Sequence, residues 1–192
     1  MGSARFLPLQ VAAVCYRKCG ASFEFLLVKT TSGDRWIFPK GATARRLSHS
    51  QAAEREALEE AGAVGAIEPQ HFHLYLQPKG DFKLRNGIRE FVVKAFLLQV
   101  SHTQPPQEQN RNPTWFSVDD ARSALAMGRE AKYTAELGTV IDRAVERLSA
   151  EERIVPDYSR APTYRIWRSL LRLLRLNFLK ICSDRPDPNR RD

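Results

Sequence analysis

Gly41 to Ala63 reads GATARRLSHSQAAEREALEEAGA. Ser48 or Ser50 can cap a helix running to Ala61, since a serine oxygen takes up a free backbone N–H of the first turn. Gly62 stands just past the helix end as a C-cap. Glu56, Glu59 and Glu60 fall at i, i+3 and i+4, which predicts three carboxylates on one face within reach of a common point. Ala53, Ala57 and Leu58 lie on the opposite face, so the helix can pack closely on a sheet. Three like charges held so close repel one another, and something positive must offset them. Arg55, four residues before Glu59, is one such charge. A hard divalent cation is better. Magnesium takes carboxylate oxygens at roughly 2.0–2.1 Å and keeps waters to exchange for phosphate oxygens, and paired ions bridge phosphates and activate a water. Taken alone, such a string reads as a solvated helix face with an Arg–Glu surface pair. Its surroundings reverse that reading.

Upstream, Gln10 to Arg17 and Phe23 to Thr30 are mainly apolar runs separated by Lys18 to Ser22, a turn, and predict an antiparallel hairpin. Ser32-Gly33-Asp34 is a second turn leading to the short strand Trp36-Ile37-Phe38, which Pro39 ends. Gly41 to Ser48 reads as a loop. Downstream, Phe72, Leu74 and Leu76 form the apolar set of a half-buried strand, and Asp81 to Gly87 is a charged loop. Glu90 to Val100 is the strongest strand pattern, apolar on both faces over part of its length. Trp115-Phe116 closes the strand series. Ser117 then caps a helix with Asp119 and Asp120 in its first turn, and a longer helical pattern covers Ala131 to Leu148. Strands interrupted by one central helix, then a run of helices, predict an α/β or α+β sandwich.

A length of 192 residues, 43% hydrophobic and 27% charged, suits one soluble domain with an appendage. We expect that domain over residues 1–149, a linker at 150–162, a basic amphipathic helix at 163–181 and a disordered polar tail at 182–192. The net charge of +8 is uneven, because residues from Arg160 onward hold nine basic against three acidic side chains. The high pI therefore belongs mostly to the tail. Cys15, Cys19 and Cys182 show no metal-ligand spacing, and Cys15 lies in an apolar run as a small core residue would. With no charged-then-apolar leader and no apolar run of membrane-spanning length, the expected setting is a reducing, cytoplasmic compartment.

Phe38-Pro39-Lys40-Gly41 before the helix, Arg55-Glu56-Ala57-Leu58-Glu59-Glu60 on it, and Gly62-Ala63 after it together resemble the Nudix box. In that motif Gly, five residues, Glu, seven residues, Arg-Glu, an aliphatic, any residue, Glu-Glu, any residue, Gly and an aliphatic follow in order. Gly41, Arg55, Glu56, Glu59, Glu60 and Gly62 are all in register. Leu47 takes the place of the first Glu, and Ala57 and Ala63 stand where larger aliphatics are usual. A subset of Nudix sequences with the same Pro-Lys-Gly opening also resembles Ala52 to Gly62. The resemblance implies a Nudix-like α/β/α sandwich with a mixed central sheet, followed by C-terminal helices.

It also implies the roles. Glu56 and Glu60 would be the principal ligands of magnesium (or manganese), joined by the backbone carbonyl of Lys40. Glu59 would be the general base or a further ligand, and Arg55 would orient the glutamates. Glu108, in a loop before the last strand, is a candidate extra acid and equally an ordinary loop residue. Arg111 to Ala121 looks like the matching region of diphosphoinositol polyphosphate and diadenosine polyphosphate hydrolases. An anionic polyphosphate substrate would then meet basic side chains, with Lys29, Arg35 and Lys40 favoured among a set that includes Arg45, Arg46, Lys83, Arg85 and Arg89. Trp36 can stack a base or sit in the core.

In the tail, Arg165, Arg168, Arg172 and Arg175 form a basic stripe beside a broad apolar surface. Such a helix packs on protein or lies on an anionic membrane, and the apolar breadth argues against a simple nucleic-acid arm. Two functions remain open, a metal-dependent hydrolase and a Nudix-fold sensor that binds a nucleotide or polyphosphate without turnover. Leu47 favours the second, the four intact box residues the first.

Overall fold

Alternating apolar residues in Leu9–Cys19 (β1) and Ser22–Lys29 (β2) pair them antiparallel, with Cys19 opposite Ser22. The turn is only Gly20 and Ala21, tighter than the five residues expected, and Gly20 adopts a φ of +61° that favours glycine. In this computed structural model, residues 7–78 and 90–154 are described, with side chains described as far as residue 150.

Trp36–Ile37 (β3) and Thr114–Ser117 (β8) both pair with β2, while Lys40–Ala42 (β4) pairs with β1. Gly41, expected in a loop, thus belongs to a short strand. Glu90–Thr103 (β7) runs parallel to β1, and Ala63–Ile67 (β5) and His73–Pro78 (β6) run antiparallel to β7. Among the described residues these strands make one mixed eight-stranded sheet.

The helices cover both faces. His49–Ala61 (α1) lays Ala52, Ala53, Ala57 and Ala61 against Val11, Ala13 and Cys15 of β1 and Leu98 of β7. Four alanines let helix and sheet approach closely, and any larger side chain there would overpack the contact. On the other face, Val118–Ala126 (α2) and Ala131–Ile154 (α3) bury Ala121, Leu125, Leu137, Val140, Ile141 and Ala144 against Val14, Phe25, Leu27 and Leu97. Layers of helix, sheet and helix are the architecture expected from the sequence.

Three local expectations change. In β6 it is Tyr75 that is buried while Leu74 is 47% exposed, so the inward face is the opposite of the one read from the leucines. The strand β5 had no expected counterpart, because AVGAI has no strong strand former except Val64 and Ile67. Helix α3 continues to Ile154, past Leu148 and into the segment expected to be a linker. The chain divides after Leu148 into two compact units. The helix expected at 163–181, the tail, and Lys83, Arg85 and Arg89 lie outside the described residues.

Candidate functional site

Helix α1 begins where Ser48 closes a capping box. Its hydroxyl accepts from Gln51 N at 3.1 Å, and its own N–H donates to Gln51 Oε1 at 2.8 Å. The helix ends at Gly62, whose φ of +62° turns the chain and whose N–H donates to Leu58 O at 3.0 Å. A side chain at Gly62 would collide with Gln104 O, 1.8 Å from the Cβ position. The return stroke of the chain, Gln104 to Pro113, is stitched against this end. Gln104 N donates to Gly62 O at 2.8 Å, and Glu108 N to Glu59 O at 2.9 Å.

This frame holds two buried carboxylates side by side on α1, Glu56 at 7% and Glu60 at 3% exposed. Each has an arginine. Arg55 Nη2 donates to Glu56 Oε1 at 2.7 Å. Arg111 Nη2 donates to Glu60 Oε1 at 2.6 Å, and the Lys40 N–H donates to Glu60 Oε2 at 3.1 Å. The Glu56 carboxylate rests directly on Gly41, where a Cβ would stand 2.3 Å from its oxygen. Glu59 is different. Its side chain is about one-third exposed, and its nearest cation, Arg55 Nε, is 3.6 Å away, too far for a hydrogen bond.

Burial pushes the Glu60 carboxyl up to about 7, against the downward pull of Arg111 and of the Lys40 N–H and ammonium. Burial also lowers the Lys40 ammonium below its ordinary value, opposed by Glu60 and Glu56. An arrangement of this kind favours whatever brings positive charge to Glu60.

The donor set suits a hard divalent cation in its chemistry. It consists of carboxylate oxygens, with no sulfur ligand, and the missing side chain at Gly41 is what makes room for the Glu56 carboxylate. The expected convergence of three carboxylates is not seen, however. Among the described residues no three acidic, histidine or cysteine side chains form a ready-made cage. Glu56 turns to Arg55 and Gly41, Glu60 turns to Arg111 and Lys40, and Glu59 faces outward. Each buried carboxylate is paired with an arginine, yet burial still outweighs Arg111 at Glu60, so a further positive charge there would be favourable.

A cleft of about 480 Å³ is lined by Thr30, Ser32, Arg35, Ile37, Arg129 and Tyr133 among others, and none of Glu56, Glu59, Glu60 and Arg111 is in its wall. Only two residues separate Ile37 in its wall from Lys40, whose N–H holds Glu60. Of the three favoured basic residues, Arg35 lines the cleft, but Lys29 and Lys40 do not. The Lys29 ammonium sits 4.2 Å from the centre of the Trp36 ring, and Trp36 packs edge-on to Phe116. Trp36 is thus committed on both sides. Lys29 contributes its main chain instead, donating N–H to Arg111 O at 2.6 Å.

Two arginines escaped the sequence reading. Arg129 donates to the carbonyls of Trp36, at 2.6 Å, and Leu125, and burial with the neighbouring charge of Arg35 pulls it down to about 10. It stays charged at neutral pH with no carboxylate bound to it in the hydrogen bonds described. Arg111, 8% exposed, binds Glu60 and Glu108 together. Neither has a local spacing that would mark it. The Glu108 carboxylate is 42% exposed and reaches the carboxylate face only through Arg111.

The family model of the NUDIX domain matches residues 7–137. "Nudix hydrolase 18, mitochondrial" of Arabidopsis thaliana is 35% identical over 53% of this chain, which spans 56% of that protein, just over half its length. "Diphosphoinositol polyphosphate phosphohydrolase 3-beta" of Bos taurus is 27% identical over 67% of this chain and 76% of its own length. Among solved structures, a binary complex of the C. elegans Ap4A hydrolase shares the fold with a TM-score of 0.55 at 21% identity, covering 75% of this chain and 99% of that one.

Proposed function

Since this chain belongs to the Nudix family, we propose that it hydrolyses a phosphoanhydride bond in a small organic di- or polyphosphate, of the nucleoside or inositol type, with the help of magnesium or manganese. One observation carries the reading: two buried carboxylates, Glu56 and Glu60, stand on one helix flank, and Lys40, whose N–H holds Glu60, follows closely on Ile37 in the wall of a cleft that presents Arg35 and Arg129.

Glu56, Glu60 and the Lys40 carbonyl would hold the ion, with Glu108 as a further acid. When bound, it would screen the phosphate charge and lower the pKa of a water. The rest falls to the chain's own groups. Arg35 binds phosphate oxygens with a planar fork that suits two oxygens at once, while Arg129, whose Nη1 and Nη2 already donate to Leu125 O and Trp36 O, adds its positive charge. Hydroxyls of Thr30 and Ser32 add neutral contacts along the same wall, whereas that of Tyr133 already donates to Glu90 Oε1 at 2.9 Å. A cleft of about 480 Å³ falls within the roughly 300–1,000 Å³ usual for small-molecule sites. Glu59, partly exposed and without a close hydrogen bond, is the group best able to take a proton from an attacking water. Arg55 fixes Glu56.

Binding without turnover is the second reading, favoured by Leu47, which packs against the core under α1 where the family motif carries a glutamate. A panel of nucleoside and inositol polyphosphates, assayed for product with and without magnesium or manganese, separates the two. The hydrolase reading expects metal-dependent product and a loss of at least about 100-fold in kcat for Glu59→Gln, the usual scale for a general base. Tight binding with no product from any substrate would leave the sensor.

A further inference from the structure

We propose that Arg111 is the positioning residue of Glu60, doing from the β7–β8 loop what Arg55 does for Glu56 from within the helix, and so sets the affinity of the carboxylate face for a divalent ion. The inference rests on the metal-dependent reading above.

Four contacts fix the Arg111 fork. Nη2 lies 2.6 Å from both Glu60 Oε1 and Glu108 Oε2, Nε donates to Glu108 Oε2 at 2.7 Å, and Nη1 donates to Lys29 O at 3.2 Å. The main chain is held as well, with Lys29 N donating to Arg111 O at 2.6 Å. The loop bends on both sides to deliver this side chain inward. Asn110 and Asn112 adopt φ values of +64° and +45°, a region that few residues other than glycine visit and that asparagine tolerates best. An exposed ion pair needs no such delivery. Arg111 is 8% exposed, and its only charged neighbours among its bonds are acids of the candidate site.

The lone pairs of Glu60 explain how the pairing serves an ion rather than excluding it. A carboxylate offers about four acceptor directions. Arg111 takes one on Oε1 and the Lys40 N–H takes one on Oε2, which leaves one free on each oxygen. The two donors therefore fix the plane of the group while leaving it able to bind. Groups that orient ligand carboxylates from behind in this manner are worth about 10–100-fold in metal affinity. Arg111 also brings the Glu108 carboxylate to the same guanidinium nitrogen as Glu60, so one residue gathers acids from two separate parts of the chain.

The test is Mn2+ binding to the full chain, followed by calorimetry and by loss of the free-ion paramagnetic resonance signal. Arg111→Lys keeps the charge and loses the fork, and it should weaken Mn2+ binding about 10–100-fold. Thermal unfolding without metal should remain cooperative, and turnover should recover at saturating Mn2+. Should the lysine variant fail to fold, Asn112→Val strains the turn that delivers Arg111 and leaves every site side chain present. It should shift Mn2+ binding in the same direction. Unchanged Mn2+ affinity in the folded variants overturns the inference while leaving the hydrolase reading intact. So does a loss of turnover that saturating Mn2+ fails to restore, the mark of a merely structural role. Wild-type protein that binds no Mn2+ overturns the metal-dependent reading and this inference together.

Discussion

Gly41 and Glu56 meet backbone to side chain: a methyl group added to Gly41 would stand 2.3 Å from the carboxyl carbon of Glu56. The requirement is for space, since the colliding atoms belong to a carboxylate that Arg55 holds in place at 2.7 Å. The box glycine is thus the other half of the Glu56 position.

Gly41→Ala should accordingly dislodge Glu56. We expect a stability loss of about 1–3 kcal/mol, the usual cost of overpacking, and a fall in metal-dependent turnover of about 10–100-fold, as for a displaced ligand environment. Thermal unfolding read alongside product formation checks both. An alanine variant that melts and turns over like wild type would show that the contact is relieved at no cost.

Arg35 and Arg129 face the cleft together. A hydrogen bond to a charged group contributes about 1.5–3 kcal/mol, so Arg35→Ala should raise KM about 10–100-fold, and Arg129→Ala, which takes a positive charge from the cleft, should raise it less. If the arginines bind ground state and transition state alike, kcat changes little. Steady-state kinetics at two salt concentrations is the measurement. A fall in kcat with KM unmoved would place these residues in the chemical step instead.

Without metal, stability should depend on Glu60. Its folded pKa of about 7 lies above the ordinary 4.5, so the folded state holds the extra proton between those values. Stability is then greatest below pH 4.5 as far as this group is concerned, and it declines as pH rises to about 7, by up to about 3 kcal/mol. Urea unfolding in a chelator across pH 5 to 8 reads the slope, and Glu60→Gln should flatten it. A rise in stability over that interval that disappears in Glu60→Gln would mean that Arg111 outweighs burial.

Among the described residues the buried Tyr75 hydroxyl has no hydrogen-bond partner, and its ring packs against Phe38. Tyr75→Phe removes only the oxygen. Because an unsatisfied buried hydroxyl costs about 1–3 kcal/mol, this variant should be neutral or more stable, whereas Tyr75→Ala should lose about 3–5 kcal/mol with the ring. Equilibrium denaturation distinguishes them. A clear loss in Tyr75→Phe would reveal a partner for the hydroxyl.

What the sequence disclosed was local. The capping serine, the terminating glycine and the i, i+3, i+4 acids all lie in the one short stretch from Ser48 to Gly62, and α1 formed where they indicated. The β1–β2 hairpin was legible for the same reason. The inward face of β6 was misread because Tyr75 and Leu74 are both apolar enough to fill a core, and pairing with β7 decided between them. Strand β5 exists through its partner, with a register shift at Val64/Gly65 and no room for a side chain at Gly65 against Gln99. Arg111 was invisible as a site residue because its acid, Glu60, is 51 positions away. The arginine pairing of the carboxylates was likewise out of reach, since spacing along a helix shows which groups share a face and not which neighbours they choose.

The parallel pairing of β1 with β7 sets Leu9 opposite Val92 and Tyr16 opposite Gln99. The sheet under α1 therefore includes a strand made long after the helix itself. During synthesis, Ala53 and Ala57 have no finished surface to settle on until β7 has left the ribosome, and assembly must close a long span of chain before the early segments gain their shelter. Contacts so distant in sequence slow folding. A nascent chain halted before residue 90 would leave the inner strand β1 with an open edge for other chains to find.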